Sequence, residues 1–318
     1  MNKILETTKF VLENSDFVKI NHERLAEFSN AFDHGKAEHW LSATPFDFSH
    51  FSDDEKLHFV IIFNTLSFCY WGEPKWNVEY KQKKHDGAWG MILALGRGIE
   101  EGAVLLDFDY CSKISKEDFA NILRGNTEIP LLEERWKILR EIGTTMVAKY
   151  SGKASNLIAE AQGNSQNLVE LIVQNFPSFS DTSLYKEKEI YFYKRAQLLV
   201  ADIYQIFDGK GFGALKNVDQ LTACADYKLP QILRKLGILE YATALAEKVD
   251  NKTEIPHNSP EEIEMRANTI WAVEFIKEEV KKRSPQILSF EVNDHLWLAT
   301  QEKFDGDKPY HRTRTTAY

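Results

Sequence analysis

Apolar residues in this chain recur at spacings of three and four, which commits most of it to amphipathic helices. Leu132, Trp136, Leu139, Ile142 and Met146 fall on one face, as do Leu25, Phe28 and Phe32. Start signals agree with that period. Ser52 with Glu55 and Ser115 with Asp118 have capping-box spacing. Ser259-Pro260-Glu261-Glu262 combines an N-cap, a proline at the first helical position and a glutamate at the third. This start predicts a helix over Pro260 to Lys282. Strand signals are few. Asn77 to Lys83 alternates weakly and His85-Asp86-Gly87 reads as a turn, so one small hairpin is expected. The stretches 151–165 and 250–260 are the most loop-like, and neither is extreme enough to divide the chain. The expectation is a mainly α, single helical domain over 1–318.

Charge narrows the function. Lys plus Arg total 39 against 48 Asp plus Glu, a net charge of −9. Such a chain is repelled by long nucleic acids, which favours a small substrate, although a local basic cluster can hold one phosphate. The 20 Phe, 12 Tyr and 7 Trp suit a pocket for a flat ligand and equally suit a helical core. Cys69, Cys111 and Cys224 are far apart and show no metal-ligand spacing, so a reduced, cytoplasmic setting without metal or cofactor is expected. The charged start is not read as a secretory signal, and the longest apolar run, near Phe59 to Phe63, is too short to cross a membrane.

Four constellations carry possible chemistry. In Phe68-Cys69-Tyr70-Trp71-Gly72-Glu73-Pro74 a helix is broken by Gly and Pro. A flat base can stack on Trp71 while Glu73 accepts hydrogen bonds from a guanine-like edge. Alternatively, Trp71 is core and Glu73 a solvated helix end. In the helix around Tyr193-Lys194-Arg195, Asp202 lies just over two turns beyond Lys194, on roughly the same face. These charges are either functional or a structural ion pair. Asp226, in a short apolar segment before Pro230, is either chemically active or an N-cap. His311, Arg312 and Arg314 form a basic cluster suited to a phosphate, or else a frayed tail. The glycine-rich run at 208–213 lacks the remainder of either phosphate-loop pattern.

These segments together resemble the queuosine-salvage protein family, the queuosine 5′-phosphate N-glycosidases. The resemblance runs from LENS at Leu12 to Tyr318. It is carried by NTLSFCYWGE, PLLEER, FPSF with Asp181, FYKRAQLLVAD, ADYKLPQ, EIEMRANTIWAVE and PYHRTR. It implies a helical core like that of helix-hairpin-helix DNA glycosylases, in which a Lys-bearing helix precedes a catalytic Asp. By that analogy Asp226 is the catalytic carboxylate, with Asp202 as the alternative. The substrate contacts expected are Trp71 and Glu73 for the base, with Phe68 nearby, and His311, Arg312, Arg314 and either Lys194 or Arg195 for the phosphate; Tyr227 is a further expected substrate contact. Trp271, on the helix that also bears Glu274, is the alternative pocket wall.

The implied reaction is hydrolysis of queuosine 5′-monophosphate to free queuine, without a metal or redox cofactor, and with no stable nucleic-acid or membrane partner. Glycosidic cleavage places positive charge on the ribose, which a fixed carboxylate stabilises. A nucleic-acid repair glycosylase on the same core would need a basic groove, which the net charge disfavours. A non-catalytic queuine carrier would bind without turnover.

Overall fold

A computed structural model describes residues 2–33, 35, 39–301 and 307–318. Fourteen α-helices occur among the described residues, with only short antiparallel strand pairs beside them. The first half runs α1 (Lys3–Glu13), β1 (Val18–Ile20), α2 (His22–Ala31), α3 (Asp53–Leu66), β2 (Asn77–Tyr80), β3 (Lys83–Asp86), α4 (Gly87–Glu100), α5 (Phe108–Lys113), α6 (Lys116–Ile122) and α7 (Leu132–Tyr150). The second half continues with α8 (Ala154–Glu160), α9 (Ser165–Asn175), β4 (Thr182–Tyr185), β5 (Lys188–Tyr191), α10 (Lys194–Ile206), α11 (Lys228–Lys235), β6 (Leu239–Tyr241), α12 (Thr243–Asp250), α13 (Pro260–Lys281) and α14 (Ser289–Ala299).

The expected helix starts act as caps. Ser52 and Glu55 form a reciprocal capping box on α3, and Ser259 accepts from the Glu262 amide at the head of α13. The hairpin expected near residue 80 forms, but its turn is Lys81-Gln82, where φ is 47° and 64°. Both positive angles belong to a type I′ turn. Asp86 and Gly87, expected as that turn, instead open α4, with Asp86 at the N-cap. A second hairpin of the same kind joins β4 to β5 through Lys186-Glu187, and β1 pairs with β6. The stretch 151–165, expected as loop, contains α8.

Two large apolar cores meet in the molecule. One gathers α3, α4 and α7 to α10; the other gathers α2, α11, α12 and the face of α13 and α14 that carries Met265, Val273 and Val292. A smaller third core joins α1 and the second hairpin to α13. Because α13 is surrounded, its charges are buried and must be paired. Arg266 makes a two-pronged pair with Asp181, at 2.9 and 2.5 Å. Glu264 accepts the backbone amides of Asp16, Phe17 and Val18 and the Tyr185 hydroxyl. The motifs around Asp181 and α13 thus hold elements together.

Among the described residues no helix is long and apolar enough to cross a membrane. The glycine-rich run after α10 packs tightly: a Cβ on Gly213 would stand 2.9 Å from the Ile203 carbonyl oxygen. That contact accounts for this glycine without any phosphate.

Candidate active site

Where the two large cores meet, they leave a cavity of about 160 Å³. Its aromatic walls come from separate elements: Phe68 and Tyr70 after α3, Trp89 on α4, Tyr227 before α11 and Trp297 on α14. Phe68 is held by two buried guanidinium groups. Arg135, 4.1 Å from the ring, donates to the carbonyls of Leu66, Phe68 and Cys69. Arg195, 5.1 Å away, donates to Thr65 and Ser178 carbonyls. These bonds satisfy the carbonyls freed where α3 stops and fix the chain as it enters the cavity wall.

Lys194 and Asp226 both line this cavity. Lys194 opens α10 and is buried, yet its ammonium makes no hydrogen bond or ion pair among the described residues. Asp226 precedes α11. Its Oδ1 accepts the Lys228 amide at 2.7 Å and the Leu229 amide at 3.1 Å. The next residue, Pro230, has no amide hydrogen, so one oxygen satisfies the first donors of the helix. Oδ2 accepts no hydrogen bond among the described residues. Capping and chemistry, alternatives in the sequence, are therefore compatible in one side chain.

Asp202 stands deeper and does not line the cavity. Its two oxygens accept Trp40 Nε1 and Asn64 Nδ2, each at 2.8 Å, and burial pushes its carboxyl up to about 7. It anchors Trp40, which does reach the cavity. Asp294 on α14 also lines the wall. It is buried, accepts Gln205 Nε2 at 2.8 Å and Asn293 Nδ2 at 3.2 Å, and is pushed up to about 8, chiefly by burial and also by nearby Asp202.

Other expected contacts lie elsewhere. Trp71 is buried against the C-terminal segment, donating to the Thr313 carbonyl at 3.0 Å, with the Arg314 guanidinium 4.6 Å from its ring. Glu73 is exposed and paired with Arg312. Arg195 is spent on carbonyls. His311 is fully buried beside Tyr318, and burial drives its imidazole down to about 4, so it is neutral near pH 7. Trp271 donates to Thr8 and does not line the cavity. Of the expected cluster, Arg312 alone borders a second hollow of about 350 Å³ that adjoins the cavity. Lys75 and Lys228 line both spaces.

Sequence reasoning missed Trp89, Asn293, Asp294 and Trp297. Phe290, Asp294 and Trp297 repeat at helical spacing, so the rule that flagged Asp202, a carboxylate on an apolar helix face, applies equally to Asp294. No comparable local signal marks Trp89.

A family model described as queuosine salvage protein matches residues 48–318. A queuosine 5′-phosphate N-glycosylase/hydrolase of Sphaerobacter thermophilus is 40% identical over 317 residues, covering 99% of this chain and 97% of its own. Proteins of the same name from Mus musculus and Dictyostelium discoideum are 34% and 31% identical over 331 residues each, covering 98% and 99% of this chain and 98% of their own.

Proposed function

The chain belongs to the queuosine salvage protein family, and from that premise we propose that it hydrolyses the N-glycosidic bond of queuosine 5′-monophosphate and releases queuine. The observation that carries this reading is the convergence of Lys194 and Asp226 on one aromatic-walled cavity. Their order, a lysine heading a helix and an aspartate after it, also supports the analogy with helix-hairpin-helix glycosylases.

The base enters between the aromatic walls, where stacking contributes on the order of 1–3 kcal/mol. Trp89 Nε1 is buried without a hydrogen-bond partner among the described residues and offers a donor to the base. As the glycosidic bond lengthens, its electron pair leaves with the base and the ribose takes on oxocarbenium character. The unpartnered Oδ2 of Asp226 faces that charge and accepts a proton from the attacking water. Holding Oδ1 on two backbone amides keeps the carboxylate in place, so little reorganisation is needed at the transition state. The Lys194 ammonium orients the ribose hydroxyls and the carboxylate.

The 5′-phosphate goes to the junction of the cavity and the second hollow. Lys75 and Lys228 stand on both sides of that boundary, with Arg312 beyond. Three free, buried cysteines fit action in the cytoplasm.

The test is incubation with queuosine 5′-monophosphate and mass-spectrometric detection of free queuine. Binding without release would favour a carrier instead.

A further inference from the structure

Queuine is a 7-deazaguanine. Carbon replaces the ring nitrogen at which purines are ordinarily protonated before they leave, so any proton must reach the base elsewhere. Asp86 lines the cavity paired to Lys75 at 2.7 Å, and three further carboxyls, Asp202, Asp226 and Asp294, stand at the site in different settings. Asp226 is bound to helix amides, and Asp202 has both oxygens engaged outside the cavity. Asp294 alone of the three lines the cavity and also a separate opening of about 310 Å³ on its other side, bordered by His39, Gln205 and Asp208.

We propose that Asp294 is the proton donor to the departing base, recharged from solvent through the Gln205 side of α14. This inference rests on the glycosidase reading above. The C1′–N bond breaks and its electron pair goes to the base. The Asp294 carboxyl proton passes to a heteroatom of that base, leaving a carboxylate. Water adds to C1′ and gives its proton to Asp226. Asp294 then regains a proton through the second opening while Asp226 releases one, so the net reaction consumes one water.

Geometry supplies what a donor needs. Gln205 and Asn293 each donate to one oxygen and fix the carboxyl plane. The hydrogen bonds from Gln205, Asn293 and the Trp40 backbone favour the ionised form, and burial outweighs them. Burial is the main cause of the neutral form, and Asp202 on α10 adds a like charge when ionised. His39 is pushed down to about 4 by burial and brings no positive charge near pH 7. Asp208 and Glu291 border the second opening and are both acidic. Lys194 on α10, with Lys75 and Lys228 from other segments, supplies the cations lining the cavity, and Cys224 also lines it, its thiol raised by burial. A carboxylic acid and a carboxylate held apart by environment divide acid from base work in one site.

The test is release of queuine by the intact chain, measured from pH 5.5 to 9.5. The proton-donating form is lost as pH rises, so kcat should fall through a limb near pH 8. In Asp294→Asn that limb should vanish. At pH 7, kcat should fall by on the order of 10²–10⁴-fold. The amide can accept from only one of Gln205 and Asn293, so Tm should fall, while Kd for queuine, measured on the folded variant, should stay within about threefold. A wild-type rate flat to pH 9.5, a limb that persists in the variant, or a kcat loss below tenfold would overturn the proposal. So would parallel loss of queuine binding, which makes Asp294 a binding or structural group. Wild-type protein that releases no queuine defeats the glycosidase reading itself, a distinct result.

Discussion

The stretch from the head of α10 to the head of α11 and the C-terminal segment 307–318 contain similar residue types, and the fold treats them in opposite ways. Each brings aromatic rings, cations and acids close together. Around the cavity, Lys194 and Oδ2 of Asp226 are left without partners among the described residues, while Oδ1 is held by two amides of α11. In the C-terminal segment the charges are consumed: Arg312 meets Glu73, Arg314 lies over Trp71, and His311 is buried and neutral. Residue type gives the potential for chemistry; the pattern of satisfied partners decides whether that potential is available to a ligand.

The strongest way to break this contrast is Asp226→Asn. Asparagine still caps α11, so stability should change by under about 1 kcal/mol. The negative charge beneath the ribose is lost, and kcat should fall by on the order of 10³-fold with queuine affinity retained. Queuine release and a calorimetric Kd measure the two parts. Asp202→Asn provides the control: it should lower thermal stability, since an amide cannot accept from both Trp40 and Asn64 as the carboxyl does, and should reduce kcat far less. Equal loss of turnover in both variants would reverse the two aspartates.

Much of this contrast was beyond reach in the sequence. The helical period and the caps of α3 and α13 are legible because they depend on neighbours within a turn or two, whereas the walls contributed by α4 and α14 are not. Lys194 and Asp226 were legible because each was a charge in an apolar setting. The fate of Trp71 was not, since it turns on Thr313, more than two hundred residues away in the chain. Arg195 looks like a phosphate donor in the sequence for the same reason: one carbonyl partner lies on the distant end of α3 and the other at Ser178. Asp294 obeys the same rule as Asp202, a carboxylate on an apolar helix face.

A second test moves to the phosphate. If the junction residues hold it, Lys75→Ala with Lys228→Ala should lower kcat/KM for the 5′-monophosphate by roughly 10–100-fold, as loss of one or two charge-assisted contacts implies. The constant for unphosphorylated queuosine should change less than threefold, about 0.7 kcal/mol or less. Equal loss on both substrates would remove the phosphate from this junction.

A third test addresses the C-terminal packing through acid. His311 is lowered from 6.5 to about 4 in the folded chain. Its contribution to stability is therefore complete above pH 6.5 and is lost as pH falls through 4, because the unfolded imidazole binds its proton first. That contribution is of order 3 kcal/mol. His39 shares the same direction and range. Melting followed from pH 7 to 4 should show a falling Tm, and His311→Gln should flatten part of the slope. An unchanged slope would mean that His311 does not experience the burial described.

The smallest effect expected is the most direct test of the contrast. Arg312 and Arg314 were natural phosphate donors by composition. In the fold, Arg312 reaches the edge of the second hollow already paired to an exposed glutamate, and Arg314 covers Trp71. A phosphate binding Arg312 must compete with Glu73, and an exposed pair of this kind contributes little in water. Arg312→Ala should therefore reduce kcat/KM for the 5′-monophosphate by no more than about threefold, under 1 kcal/mol. Arg314→Ala should leave it unchanged while lowering Tm slightly, through the lost cation–ring contact. Glu73→Gln sharpens the reading, because it releases Arg312 from its partner. If the arginine then turns to the phosphate, KM should fall modestly, and adding Arg312→Ala should cancel that gain. Should Arg312→Ala instead match the loss seen with the two lysines, Arg312 would belong to the phosphate site, as Tyr310 and Tyr318 of the same segment already belong to the cavity wall, and its charge would not be consumed by the fold.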